Sequence, residues 1–213
     1  ISEESRYFVT IGNRYLKEGQ LTDAMAQYKA AYQVDPKNYM AHYQLGRLFD
    51  VQKKWKMALE HYHQAIAVKG THIESYLAIA AIHIRYYDFN QALLYIEKAK
   101  EIEPQSALIY AVSGDFFRQK GERKQAIREY HKAIELDAEN AEFYYELASL
   151  YLSQKEYKNA EKYFLASNRF NPDSPKLRNQ IARLYFEQGL KSQAVHYLKR
   201  LSQAYPLNPD NIT

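Results

Sequence analysis

The chain contains no cysteine, which removes disulfides, thiol nucleophiles and cysteine-ligated zinc together. Glycine and proline are scarce, seven and six among 213 residues, so loops must be short and the makeup is that of a helix-rich folded protein. The longest apolar run, YLAIAAIHI from Tyr76 to Ile84, is about half of the ~20 residues needed to span a bilayer, so no transmembrane helix is expected. Neither sign of charge dominates. Lysine and arginine number 29 against 25 aspartates and glutamates, and the net +4 is spread along the chain, which offers no basic tail for nucleic acid. The opening ISEESRYF lacks both an initiator Met and the charged-then-apolar layout of a signal peptide. The sequence suits the cytoplasm and the periplasm equally and leaves the compartment undetermined.

Chemical motifs are missing too. There is no phosphate-cradling or dinucleotide-binding glycine loop and no nucleophile elbow, and Ser113-Gly114 falls inside a helical pattern. His61 and His63 are two apart and point to roughly opposite helix faces, and no His-x3-His occurs, so no metal site is expected. The expectation is a non-catalytic chain without a cofactor. The basic stretch RQKGERKQAIREYHK, Arg118 to Lys132, is interrupted by Glu122 and Glu129 and lacks an evident aromatic platform. It reads as an exposed helix face rather than a nucleic-acid site.

What the chain does have is a period. Steps of 34 residues from Ala24 land on Ala58, Ala92, Ala126, Ala160 and Ala194. The same step from Gly12 gives Gly46, Ala80, Gly114, Ala148 and Ala182, and from Tyr28 it gives Tyr62, Ile96, Tyr130, Phe164 and Leu198. Tyr15 leads to Phe49, His83, Phe117, Tyr151 and Tyr185, and Pro36 to Gly70, Pro104, Ala138, Pro172 and Pro206. Within one period, Phe8, Ile11, Gly12 and Tyr15 share one helix face, and Ala24, Tyr28 and Ala31 share a face of a second helix. The unit is a helical hairpin, turned at Gly19, Gly121 or Gly189 in three repeats, and one hairpin cannot bury both of its faces.

Period, hairpin and residue choice resemble the tetratricopeptide repeat family over nearly the whole chain. The resemblance implies an all-α, right-handed α-solenoid of six helix-turn-helix repeats, 5–38, 39–72, 73–106, 107–140, 141–174 and 175–208, forming a single domain, 5–208, with flanking ends 1–4 and 209–213. His83 and Ile96 in the third repeat, Gly70 and Ala138 at two repeat ends and Leu201 in the sixth depart from the pattern, all at packing positions.

First-helix residues not needed for packing line the concave groove of such arrays, so the resemblance implies a partner-binding set. It comprises Asn13, Tyr43 and Arg47, then Leu77, Ala81 and Ile84, then Leu108, Val112 and Asp115, and finally Tyr145, Asn179 and Arg183. The middle of this set is apolar and the ends are polar and mostly basic. Such a floor suits a protein or peptide segment with apolar or aromatic anchors and some acidic residues. Internal contacts among Leu77, Ala81, Leu108 and Val112 are the competing explanation. Of the family's chaperone-tail clamp only Asn13 matches, and the asparagine ladder of sugar-nucleotide transferase arrays is replaced by Thr10, Gln44, Ala78, Val112, Glu146 and Gln180.

The leading expectation is therefore a scaffold for complex assembly that holds a protein segment in its groove. The alternative is a docking or regulatory module of a larger enzyme whose catalytic domain lies elsewhere. The tail LNPDNIT is too short to cap a solenoid. A further helix past Thr213 is expected, along with a partly exposed surface around Ala194, Leu198 and Leu201 suited to end-to-end self-association.

Overall fold

The computed structural model describes residues 1–204, without the side chains of His196, Arg200 and 201–204. The expectations attached to the Leu201 side chain, to Pro206 and to the tail 209–213 fall outside the described residues.

The described residues form twelve α-helices and no strand. They are α1 (Glu3–Lys17), α2 (Leu21–Val34), α3 (Tyr39–Val51), α4 (Trp55–Val68), α5 (Ile73–Arg85), α6 (Phe89–Ile102), α7 (Ala107–Gln119), α8 (Arg123–Leu136), α9 (Ala141–Ser153), α10 (Tyr157–Phe170), α11 (Pro175–Glu187) and α12 (Lys191–Ala204). Each odd-numbered helix pairs with the next to make a hairpin. Two compact units result, one of Ile1–Pro104 and a second that begins at Gln105. In the first, α2 packs on α3 and α4 on α5; in the second, α8 packs on α9, α10 on α11, and α9 also touches α11.

Helix starts follow local chemistry. The side chains of Ser2, Asn38, Asp88 and Ser174 accept from the backbone N–H groups of Ser5, Ala41, Gln91 and Leu177, closing orphan donors at the first turns of α1, α3, α6 and α11. Pro175 opens α11, where its missing N–H costs nothing.

The periodic alanines are where the helices meet: Ala24, Ala58, Ala92, Ala126 and Ala160 have no exposed surface. The second small position has an equally direct cause. A Cβ added to Gly12, Gly46 or Gly114 would lie 2.5, 2.6 or 2.7 Å from the ring of Tyr28, Tyr62 or Tyr130 in the paired helix. Glycine therefore stands wherever tyrosine follows sixteen residues later. Where the later residue is Ile96, Phe164 or Leu198, the small position carries Ala80, Ala148 or Ala182.

A second pairing rule concerns the aromatic positions that end the first helices. Phe49 stacks on His61 (5.4 Å between ring centres), His83 on Tyr95 (6.0 Å) and Tyr151 on Tyr163 (5.6 Å), each with nearly parallel planes. Tyr185 meets Tyr197 at 5.9 Å. His83, a departure from the repeat pattern, thus keeps a flat stacking ring in place of a phenylalanine or tyrosine one.

The turns inside the hairpins all use a left-handed residue. It is glycine at Gly19, Gly121 and Gly189 (φ 76°, 79° and 76°), but Lys53, Tyr87 and Lys155 occupy the same conformation at 58°, 59° and 60°.

Enlarging a buried alanine tests the register. Ala126→Leu and Ala160→Leu are each expected to lose about 2 kcal/mol by overpacking, read as a lower denaturation midpoint. No loss at either site would contradict the register.

Candidate functional site

In unit 1 the first helices supply Leu16 (α1), Tyr43, Arg47 and Val51 (α3) and Ala78 (α5) to an open cleft of about 270 Å³, floored in part by Tyr62 of α4. The half-buried Tyr43 ring lies 5.8 Å from that of Tyr62 and meets His72 edge-on at 4.8 Å. The Arg47 guanidinium sits 5.9 Å from the Tyr43 ring and donates to Gln44 Oε1 at 3.2 Å. It forms no ion pair among the described residues, unlike Asp50 at the cleft's edge, which Arg85 holds at 2.9 Å. Burial, opposed by the Arg47 charge, raises the Tyr43 phenol above its ordinary pKa, so it remains a neutral hydrogen-bonding group.

Asn13 is already engaged: its Oδ1 accepts from the Tyr28 hydroxyl at 2.8 Å. Leu77 and Ile84, expected in an apolar floor, are only 5% and 4% exposed. As aliphatic side chains that each gain about 2 kcal/mol from burial, they sit inside and offer almost no surface, while Ala81 is half-buried.

Unit 2 has a different face. Asp115 (α7) accepts from the Tyr130 hydroxyl at 2.8 Å and from Arg118 Nη2 at 2.6 Å through the same oxygen. Arg118 Nε also donates to the Tyr130 hydroxyl at 3.3 Å. On α11, Lys176 Nζ reaches Glu142 at 3.0 Å and Glu146 at 3.7 Å, both on α9, and lies 3.9 Å from the centre of the Tyr145 ring. Tyr145 is itself buried, 5.8 Å from Phe164. Arg183 pairs with Glu187 at 2.7 Å, Asn179 is exposed, Val112 is half-buried and Leu108 is 44% exposed.

Burial, reinforced by the Asp115 carboxylate and opposed by Arg118 and Lys176, pushes the Glu146 carboxyl up to about 7. The expected set did not contain Glu146, and Arg118 was read as part of an exposed basic helix face. The structure corrects that reading, since Arg118 is half-buried and bound to Asp115, whereas Arg123, Lys124 and Arg128 are exposed. The i,i+3 spacing of Asp115 and Arg118 was the available signal.

At the end of unit 2, Phe186, Val195 (65% exposed) and Leu198 surround a pocket over the buried Ala194. Among the described residues no cluster of three His, Asp or Glu could hold a metal ion, and no helix is long and apolar enough to cross a membrane.

Comparison with known proteins places this architecture. A family model described as TPR repeat matches residues 12–49 and 114–155, and two described as tetratricopeptide repeat match 141–174 and 180–208. Anaphase-promoting complex subunit 3 of Schizosaccharomyces pombe is 26% identical over 120 residues, 56% of this chain and 18% of that protein. The chain therefore spans under a fifth of that relative's length. Among solved structures, the Cut9–Hcn1 hetero-tetramer of the APC/C matches with a TM-score of 0.80 at 17% identity, covering 98% of this chain and 43% of that one. Pseudomonas aeruginosa PilF matches at 0.70 and 20% identity, covering 98% and 95%. Identities this low speak to the fold alone. With hairpins of one design recurring every 34 residues and repeat models matching both units, the chain belongs to the tetratricopeptide repeat family.

Proposed function

We propose that this chain is a protein-interaction scaffold that holds a partner's segment against the first-helix faces and so supports assembly of a complex. The observation carrying this reading is the unit 1 cleft, where side chains from three first helices converge on open space beside Arg47, an arginine with no carboxylate partner among the described residues. Tyr and Arg together offer a large contact area with directional hydrogen bonds, a combination enriched at the energetic centres of interfaces. A bound segment would place an apolar or aromatic anchor between Tyr43 and Val51 and an acidic side chain on Arg47. In unit 2, the exposed Leu108 supplies an apolar contact, while Arg118, Lys176 and Arg183 are already matched by Asp115, Glu142 and Glu187. The acidic preference thus rests on unit 1. The likeness to an anaphase-promoting complex subunit, a part of an assembly by its name, supports the same reading.

The test is titration of a partner obtained by pull-down and mass spectrometry. Tyr43→Ala and Leu108→Asp are expected to weaken binding about tenfold or more with helicity unchanged by circular dichroism. Arg47→Glu should slow association and flatten its salt dependence. Arg128→Glu, an exposed residue of α8, is the control. Loss of binding in the control with retention in the cleft variants would move the functional surface to the second helices.

A further inference from the structure

The turn edge of unit 1 carries a second surface, separate from the first-helix cleft. Trp55, Met57 and Leu59 of α4 and Tyr86 at the end of α5 wall a pocket of about 550 Å³, and Lys53, Lys54 and Lys56 rim it. Trp55 meets Tyr86 edge-on at 6.0 Å, and the Arg85 guanidinium lies 4.7 Å from the Trp55 ring centre. Tyr86 and its neighbour Tyr87 are 55% and 66% exposed, an unusual outlay of aromatic surface at one edge.

The charge here is one-sided. None of the three lysine ammonium groups is in an ion pair among the described residues, and Asp50, at the end of α3, is taken by Arg85. The residue that caps α4 is Lys54, where Asp88, Glu122 and Glu156 cap the second helices of the next three hairpins. Three cations thus stand near the positive end of a helix dipole, with no acidic residue in its first turn. An anionic occupant is the electrostatic complement of three exposed lysines so placed. The apolar walls, in turn, require that occupant to bring an apolar body as well as charge.

We infer that this edge pocket docks an acidic protein segment, one bulky apolar or aromatic side chain seated between Trp55 and Tyr86 and flanking carboxylates on Lys53, Lys54 and Lys56. A concave pocket favours such an anchor over a single-stranded nucleic acid, whose bases stack on open aromatic platforms, and over an anionic membrane surface, which meets a flat or protruding face.

Trp55 is the only tryptophan in the chain, so its emission reports the pocket directly. The probe is a short synthetic peptide with a central Phe flanked by Asp and Glu, titrated into the full chain. A saturable change in Trp55 emission with Kd below about 1 mM is expected, weakened at least about fivefold when the Phe is replaced by Ser or the acidic flanks by Lys. Tyr86→Ala and the double variant Lys54→Glu, Lys56→Glu should weaken it similarly; all three side chains are exposed or at a turn, and circular dichroism checks the fold. Tyr43→Ala and Arg47→Glu should leave it unchanged. The proposal is overturned by the absence of a saturable change, by loss of the response in the Tyr43 or Arg47 variants instead, or by tighter response to an oligothymidylate or to phosphatidylserine vesicles than to the peptide.

Discussion

Replacing Tyr130 by alanine is expected to destabilise the protein by about 4 kcal/mol, the range for removing a fully buried aromatic ring. The ring has no exposed surface, and its hydroxyl bridges Asp115 and Arg118. Truncation therefore leaves both a cavity and a carboxylate deprived of a donor. The companion variant Gly114→Ala tests why the ring is there. In the native background the new Cβ would fall 2.7 Å from the Tyr130 ring, and overpacking should outweigh the roughly 1 kcal/mol that alanine gains over glycine inside a helix. In the Tyr130→Ala background the clash is gone and only the helix preference remains, so the same substitution should stabilise. A double-mutant cycle by urea denaturation, with the sign of the Gly114→Ala effect reversing between backgrounds, is the expected result. An unchanged sign would refute the glycine-for-tyrosine rule.

The second large effect is a pH dependence centred on Glu146. Its folded-state pKa of about 7 stands above the ordinary glutamate value because burial and Asp115 disfavour the charge. Below about pH 4.5 both folded and unfolded chains hold this proton. Between about 4.5 and 7 the folded state holds a proton the unfolded state has lost, so stability falls as pH rises through this window and is level above it. The full drop is up to about 3 kcal/mol, given a side chain that is a quarter exposed. Glu146→Gln, which keeps the shape and stays neutral, should therefore be more stable than the native chain at pH 8 by up to that amount and indistinguishable at pH 4.5. Lys176 keeps Glu142 as a partner in the variant, which limits the offsetting loss. Equal stability of the two proteins at pH 8 would show that folding does not raise the Glu146 pKa. The same titration bears on function, since a ligand that places a cation beside Glu146 would release its proton at neutral pH.

The repeat was legible in the sequence because its determinants are local and recur. The spacing of Ala24, Tyr28 and Ala31 fixes a helix face, and steps of 34 residues carry that face to each later hairpin with no insertion. Twelve helices follow from this pattern alone. Even the choice between Gly12 and Ala80 was present in the text as a correlation with Tyr28 and Ile96, although its cause, a ring lying on the glycine, is a distance across two helices. The positive φ at Lys53, Tyr87 and Lys155 was hidden, since only glycine announces that conformation in a sequence.

The site was less legible for a physical reason. Position on a helix face says which way a residue starts, but exposure depends on what neighbouring helices leave uncovered. Leu77, Ile84 and Leu108 are all aliphatic residues of first helices, yet Leu77 and Ile84 are buried and Leu108 is open. Ionic state is set the same way: Glu146 is one carboxylate among many in the sequence, and only its burial near Asp115 raises its pKa. Trp55 and Tyr86 lie thirty-one residues apart and share a pocket solely because α4 packs against α5. Local periodicity thus determined the fold, while the cavities, charge environments and aromatic edges on which binding depends were decided by packing between hairpins.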